Sequence, residues 1–267
     1  MTDVGVLLLV RHGQGSLGTS NYDKLSELGH RQSRLVGARL AHADLRVSQA
    51  WCGALARQRE TARTVLAELG LPPAELHPDD RLDEYDHLGV LAADRAGDPL
   101  AADRAGDLQA ADRTGDPPTA DRTGDLLASD RAGDLLAADR AGDPFALAVT
   151  PESRLALQSA LDEAIGRWIQ GGADYPEPHS AFTARVEAVV AELTALPGTT
   201  MAVTSAGVIA VACARLTGLP ADRWPALARV VVNTSVTRLI TGRTGTHLLT
   251  FNDHAHLEGD RSLITYR

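Results

Sequence analysis

The chain reads as an α/β fold layered on a largely parallel sheet. Three observations carry that reading. The segment "VGVLLLV" (residues 4–10) is a continuous apolar run, the pattern of a strand covered on both faces. Stretches of helical spacing then alternate with further short strand-like runs. Two adjacent strand-like runs, "SVTRLITG" and "THLLTF", close the chain as a hairpin pair.

The elements follow in order. After the first strand, "LSELGHRQSRLVGARLAHA" sets Leu28, Gln32, Leu35, Val36 and Leu40 at helical spacing, with Ser26 as a cap. "RVSQAWC" (46–52) predicts a second strand. "ALARQRETARTVLAEL" (54–69) predicts a second helix that stops near Gly70. "PESRLALQSALDEAIGRWIQGG" is a helix closed by Gly171 and Gly172, and "HSAFTARVEAVVAELTAL" is another. "TMAVTS" is a strand, and "AGVIAVACARLTG" is the helix after it. In such sheets ligands bind beyond the carboxyl ends of the strands.

One segment stands apart. From residue 91 to residue 144 a nine-residue unit of the type "LAADRAGD" repeats, with Gly97, Gly106, Gly115, Gly124, Gly133 and Gly142 in register. At about 100° per residue, nine residues turn a helix through two and a half circles, so successive units face opposite sides. Nine is also odd, so a strand would swap faces at every unit. Neither regular element gains a continuous apolar stripe, and the composition suits a solvated, flexible insertion. Each copy holds two Asp and one Arg, so six copies account for six of the nine net negative charges. Setting those units aside leaves 213 of 267 residues, the size of one domain spanning 1–267 with an insertion.

Composition narrows the function classes. A formal net charge of -9 argues against a nucleic-acid or anionic-membrane partner. No apolar run approaches the roughly 20 residues that span a bilayer. Cys52 and Cys213 make no disulfide framework, which points to a reducing cytosol. The nine histidines are scattered, and His254 with His256 is too slight a pair for zinc, so no metal or cofactor is expected.

Three segments carry chemistry. The first strand runs directly into "RHGQG". Arg11 can bind phosphate oxygens as a fork, a neutral nitrogen of His12 can attack phosphorus, and Gly13 lets the chain turn. A polar loop with an incidental histidine is the competing account. "GALARQRETA" sets Arg57 at the start of a helix, where anions are favoured, although an exposed arginine on an amphipathic face would look the same. "RLDEYDHLG" offers Glu84 as a general acid, with Asp83, Asp86 and His87 as competitors.

Together these segments resemble the histidine phosphatase superfamily, branch 1, also called phosphoglycerate-mutase-like. "LLLVRHGQ" is the specific part. "LSELGHRQ", "ALARQRETA", "LDE", "FTARV" and "NTSVTRL" are also similar, with Gly53 and Ala54 where the family usually has Ser-Pro. The resemblance implies a three-layer α/β/α fold and a metal-free mechanism through a phosphohistidine on His12. Arg11, Arg57 and Gln14 would bind the phosphoryl oxygens, and Glu84 would protonate the leaving alcohol of a small phosphorylated substrate. It also implies a second histidine after "MAVTS", where this chain has Ala206.

That departure leaves three accounts. The protein is an altered phosphatase in which Ser205, the amides of Ala206 and Gly207, or His87 replace part of the lost ligand. Or it is a weak or inactive phosphate-ligand-binding or regulatory protein. Or Ala206 is an introduced substitution. The first is favoured because Arg11, His12, Arg57 and Glu84 are all present. A phosphoglycerate-type mutase is disfavoured, because Gln14 and Gly15 stand where such mutases carry Glu-Ser. The repeat directly follows the Glu84 segment, so it is expected to flank the pocket mouth. A homo-oligomer is compatible with the sequence.

Overall fold

The computed structural model describes residues 5–16, 23–43, 46–96, 151–171 and 174–266. They contain a six-stranded mixed sheet of order β3-β2-β4-β1-β5-β6. In chain order the strands are β1 (Gly5–Arg11), β2 (Val47–Cys52), β3 (Leu76–Pro78), β4 (Thr199–Thr204), β5 (Val236–Gly242) and β6 (Gly245–Asp253). The described helices are α1 (Glu27–His42), α2 (Ala56–Glu68), α3 (His87–Ala96), α4 (Pro151–Gln170), α5 (His179–Ala195), α6 (Ala206–Thr217) and α7 (Trp224–Ala228).

Strands β3, β2, β4 and β1 pair in parallel, and β5 and β6 join antiparallel. Leu7, Leu8, Leu9 and Val10 of β1 are all fully buried, as a strand covered on both faces requires. Leu8 and Val10 pack with Val36 and Leu40 of α1 and with Ala62, Val65 and Leu66 of α2. Leu7 and Leu9 have the opposite parity, and α6 packs against β1 and β6. The apolar residues of α6 are buried all round its circumference, from Val208 to Ala214. This is the expected three-layer α/β/α arrangement.

The described residues fall into two units. The first takes in 5–16, 23–43, 46–85 and 182–266, and it holds the sheet. The second takes in 86–96, 151–171 and 174–181. Within it, the Arg167 guanidinium of α4 donates to both carboxylate oxygens of Asp94 on α3, at 2.5 and 2.7 Å. Trp168 Nε1 donates to the Glu177 carbonyl at 2.8 Å.

The sequence reading and the structure differ locally. Ser26 caps α1 by accepting the Gly29 amide at 3.0 Å, as read. Helix α2 begins at Ala56, two residues later than expected, because Ala54 and Leu55 give their amides to Asp83 Oδ1 at 2.6 and 3.4 Å. Strand β3 is too short for periodicity to show, and α3 and α7 were not read. Helix α3 runs six residues into the repeat and buries Leu91. The other copies of the repeat lie outside the described residues. No helix among the described residues is long and apolar enough to cross a membrane.

Candidate active site

The parallel register brings three strand ends to one edge of the sheet. Arg11 pairs with Thr204, and Cys52 with Val203. The residues leaving those ends are Arg11 and His12 after β1, the start of α2 after β2, and Ser205 to Gly207 after β4.

His12 is 4% exposed. Its amide donates to the Thr204 carbonyl at 2.9 Å, which ties the loop to β4. Nδ1 lies 2.8 Å from the Gly13 carbonyl. A carbonyl only accepts, so Nδ1 carries the proton and Nε2 is left with its lone pair. Nε2 in turn accepts from Arg57 Nε at 3.2 Å. Burial first, then the charges of Arg57 and Arg11, hold the imidazole well below its usual pKa. The result is a neutral ring with one basic nitrogen against a guanidinium.

Arg57 comes from the first turn of α2 and is 8% exposed. Its Nη1 donates to Asp23 Oδ1 at 2.8 Å, while Asp23 Oδ2 accepts the Ala56 amide at 2.8 Å. One carboxylate therefore caps the helix and fixes the arginine, which favours both by helix polarity and by charge. Arg11, 6% exposed, donates from Nη1 to the Val231 carbonyl. Gly13 is required by space, since a Cβ there would lie 2.6 Å from the Gly29 carbonyl oxygen. Gln14 gives its amide to Gln32 Oε1 at 2.9 Å, and its own Oε1 accepts the Ser26 hydroxyl at 3.0 Å.

The acid candidate sits at the start of α6. Glu84 Oε2 accepts the Gly207 amide at 3.1 Å, and a Cβ on Gly207 would clash with Oε1. Its segment is held by several donors. Thr204 Oγ1 and Gln58 Nε2 donate to the Leu82 carbonyl at 2.6 and 3.1 Å, and Arg185 Nη1 to that of Asp83 at 2.8 Å. Ser205 is fully buried, and its hydroxyl accepts from Gln58 Nε2 at 2.9 Å. Ala206 is the first residue of α6.

The sites read from the sequence thus divide. Arg11, His12 and Arg57 come together in direct contact or as chain neighbours. Glu84 meets Gly207 across 123 positions. Ser205 is committed to Gln58, and Asp83 to the loop before α2. Gln14 is tied into α1 through Ser26 and Gln32. His87 opens α3 in the second unit. The sequence reading missed Asp23, Gln58, Asn233 and Thr234. Asp23 lies ahead of the Ser26 cap, and no spacing rule links it to a helix 33 residues later. Among the described residues no group of three or more His, Cys, Asp or Glu could hold a metal ion.

Comparison with known proteins gives this arrangement a family. Residues 7–122 and 151–254 match the histidine phosphatase superfamily (branch 1). The chain belongs to that superfamily. A 2,3-bisphosphoglycerate-dependent phosphoglycerate mutase of Brucella ovis is 37% identical over 87 residues, covering 30% of this chain and 42% of the mutase. The chain thus spans less than half the length of that relative. A phosphoglycerate mutase from Bacillus anthracis superposes with a TM-score of 0.51 at 17% identity, covering 96% of both chains. A mycobacterial glucosyl-3-phosphoglycerate phosphatase does so with a TM-score of 0.51 at 22% identity, covering 93% of this chain and 99% of its own. The structural likenesses show a shared α/β fold.

Proposed function

We propose that the protein is a phosphomonoester hydrolase that works through a phosphohistidine on His12. The observation that carries this reading is the His12 ring. Its Nδ1 is bonded to the Gly13 carbonyl and its Nε2 faces the Arg57 guanidinium, so the basic nitrogen is neutral, buried and aimed at an anion clamp.

An arriving phosphate monoester takes over the donors of Arg57 and Arg11, which uncovers the Nε2 lone pair. Nε2 attacks phosphorus in line, the P–O bond to the alcohol breaks, and Glu84 gives its carboxyl proton to the leaving oxygen. The two guanidiniums stabilise charge on the equatorial oxygens. The Glu84 carboxylate then takes a proton from water, the hydroxide attacks phosphorus, and the N–P bond breaks to restore neutral His12 and release phosphate.

Turnover is expected to be slow where the family's second histidine is replaced by Ala206. At comparable sites the loss of one such donor lowers the rate by about 10²–10³. The test is a panel of phosphomonoesters with the wild-type protein and His12→Ala, followed by an alkaline quench, in which the N–P bond survives, to trap phosphohistidine. Equal rates in the two proteins would end the enzymatic reading. Affinity for phosphate esters without turnover, lost in Arg57→Ala, would establish the binding-protein alternative.

A further inference from the structure

The carbonyl of His12 is held by a second set of buried polar groups, to which the proposed chemistry gives no part. Asn233 Nδ2 donates to it at 3.1 Å. The Thr234 amide forks between the carbonyls of Arg11 and His12, at 3.1 and 3.4 Å. Asn233, Thr234 and Ser235 are fully buried.

Thr234 sits at φ 61°. The left-handed region is unfavourable for a β-branched residue, and glycine would adopt it without strain. Strain of this kind persists only where the surroundings over-determine it, and it concentrates at functional sites. The side chain shows what glycine would lose. Thr234 Oγ1 gives its single proton to the Asn233 carbonyl at 2.7 Å. It must therefore accept from its other partner, His256 Nε2, at 3.1 Å. His256 lies in the short helical turn Ala255–Leu257 that follows β6. Its Nδ1 is buried and has no hydrogen-bond partner among the described residues. A ring that leaves one nitrogen unsatisfied is oriented by the bond at the other.

We propose that His256 is a positioning residue for His12. Its Nε2–H holds the Thr234 hydroxyl, and Thr234 holds the backbone carbonyls of Arg11 and His12, so that the imidazole stays against Arg57. The term nucleophile for His12 rests on the function proposed above. The donor role needs a proton on Nε2, which in the neutral ring leaves Nδ1 bare. Burial first, then Arg39 beside it, keeps the ring neutral by bringing the His256 pKa down to about 4.

The test compares His256→Ala, His256→Gln and Thr234→Val in the full chain. Two readouts are needed, steady-state hydrolysis of a phosphomonoester and the His12 ring nitrogens observed by 15N NMR in ligand-free protein. A nucleophile held off its productive angle loses transition-state stabilisation and leaves ground-state binding alone. His256→Ala and Thr234→Val are therefore expected to lower kcat about tenfold or more with KM unchanged, and to mix or broaden the His12 tautomer. His256→Gln restores an N–H donor and is expected to recover most of kcat. A folded His256→Ala or Thr234→Val protein with wild-type kcat and an unchanged His12 ring would overturn the proposal. If wild type shows no hydrolysis, the enzymatic reading fails, and the NMR signal of His12 still decides the positioning claim. If His256→Ala does not fold, Thr234→Val decides it alone.

Discussion

The Nε–H of Arg57 donates to the unprotonated Nε2 of His12 at 3.2 Å. The guanidinium that would bind a phosphoryl group thus rests on the nitrogen that would attack it. Arg57→Ala is expected to lower turnover by about 10²–10³. Arg57→Lys should recover little of this, because an ammonium cannot reach the imidazole, Asp23 and a phosphate oxygen with a planar fork. Steady-state kinetics of the two variants, with circular dichroism as a check on folding, measures both effects.

The same contact sets a pH dependence. In the unfolded chain His12 and His256 protonate near pH 6.5. In the fold His12 is held well below that value by burial and by Arg57 and Arg11, and His256 is brought to about 4 mainly by burial. The unfolded state therefore binds more protons as pH falls, and both groups contribute stability that is fully present above about pH 6.5. That stability is expected to be lost progressively as pH falls through 6.5 towards 4. Urea unfolding at stepped pH should show it, and the fall should be shallower in His256→Gln.

Glu84 gives a prediction that depends on the leaving group. A methyl on residue 207 would collide with Glu84 Oε1. Gly207→Ala should displace the carboxyl and reduce hydrolysis of alkyl phosphates, whose poor leaving group needs a proton. Aryl phosphates with acidic phenols should be affected far less. Equal losses on both substrates would argue against the acid role.

Ala206 offers a test in the opposite direction. If a histidine donor is what the family places at the start of α6, Ala206→His should raise kcat, by up to about 10²-fold. The panel used for wild type would detect it. An unchanged rate would mean that the amide and Glu84 arrangement at α6 already serves that purpose.

Much of this was legible in the sequence because it is local. The apolar run of β1, the Ser26 cap and the run Arg11-His12-Gly13 are neighbours in the chain, and short-range rules see them. The mutual packing of Gly13 and Gly29, the Asp23–Arg57 pair and the Gln58–Ser205 bond join residues 16 to 147 positions apart. No periodicity encodes such pairs. Strand β3 was invisible for another reason, since three residues complete no pattern of alternation. His256 was weighed only as a metal ligand beside His254, and its link to Thr234 exists only once β5 and β6 fold back beside β1.

The placement of β1 has a dynamic consequence. It runs through the interior of the sheet, with β4 on one side and β5 on the other. Its amides and those of β4 should exchange with solvent deuterium only through global opening, at the slow limit for the protein. The nucleophile would then be anchored to the most persistent part of the molecule. Deuterium uptake resolved by peptide should place β1 and β4 below the described loops that follow the strands.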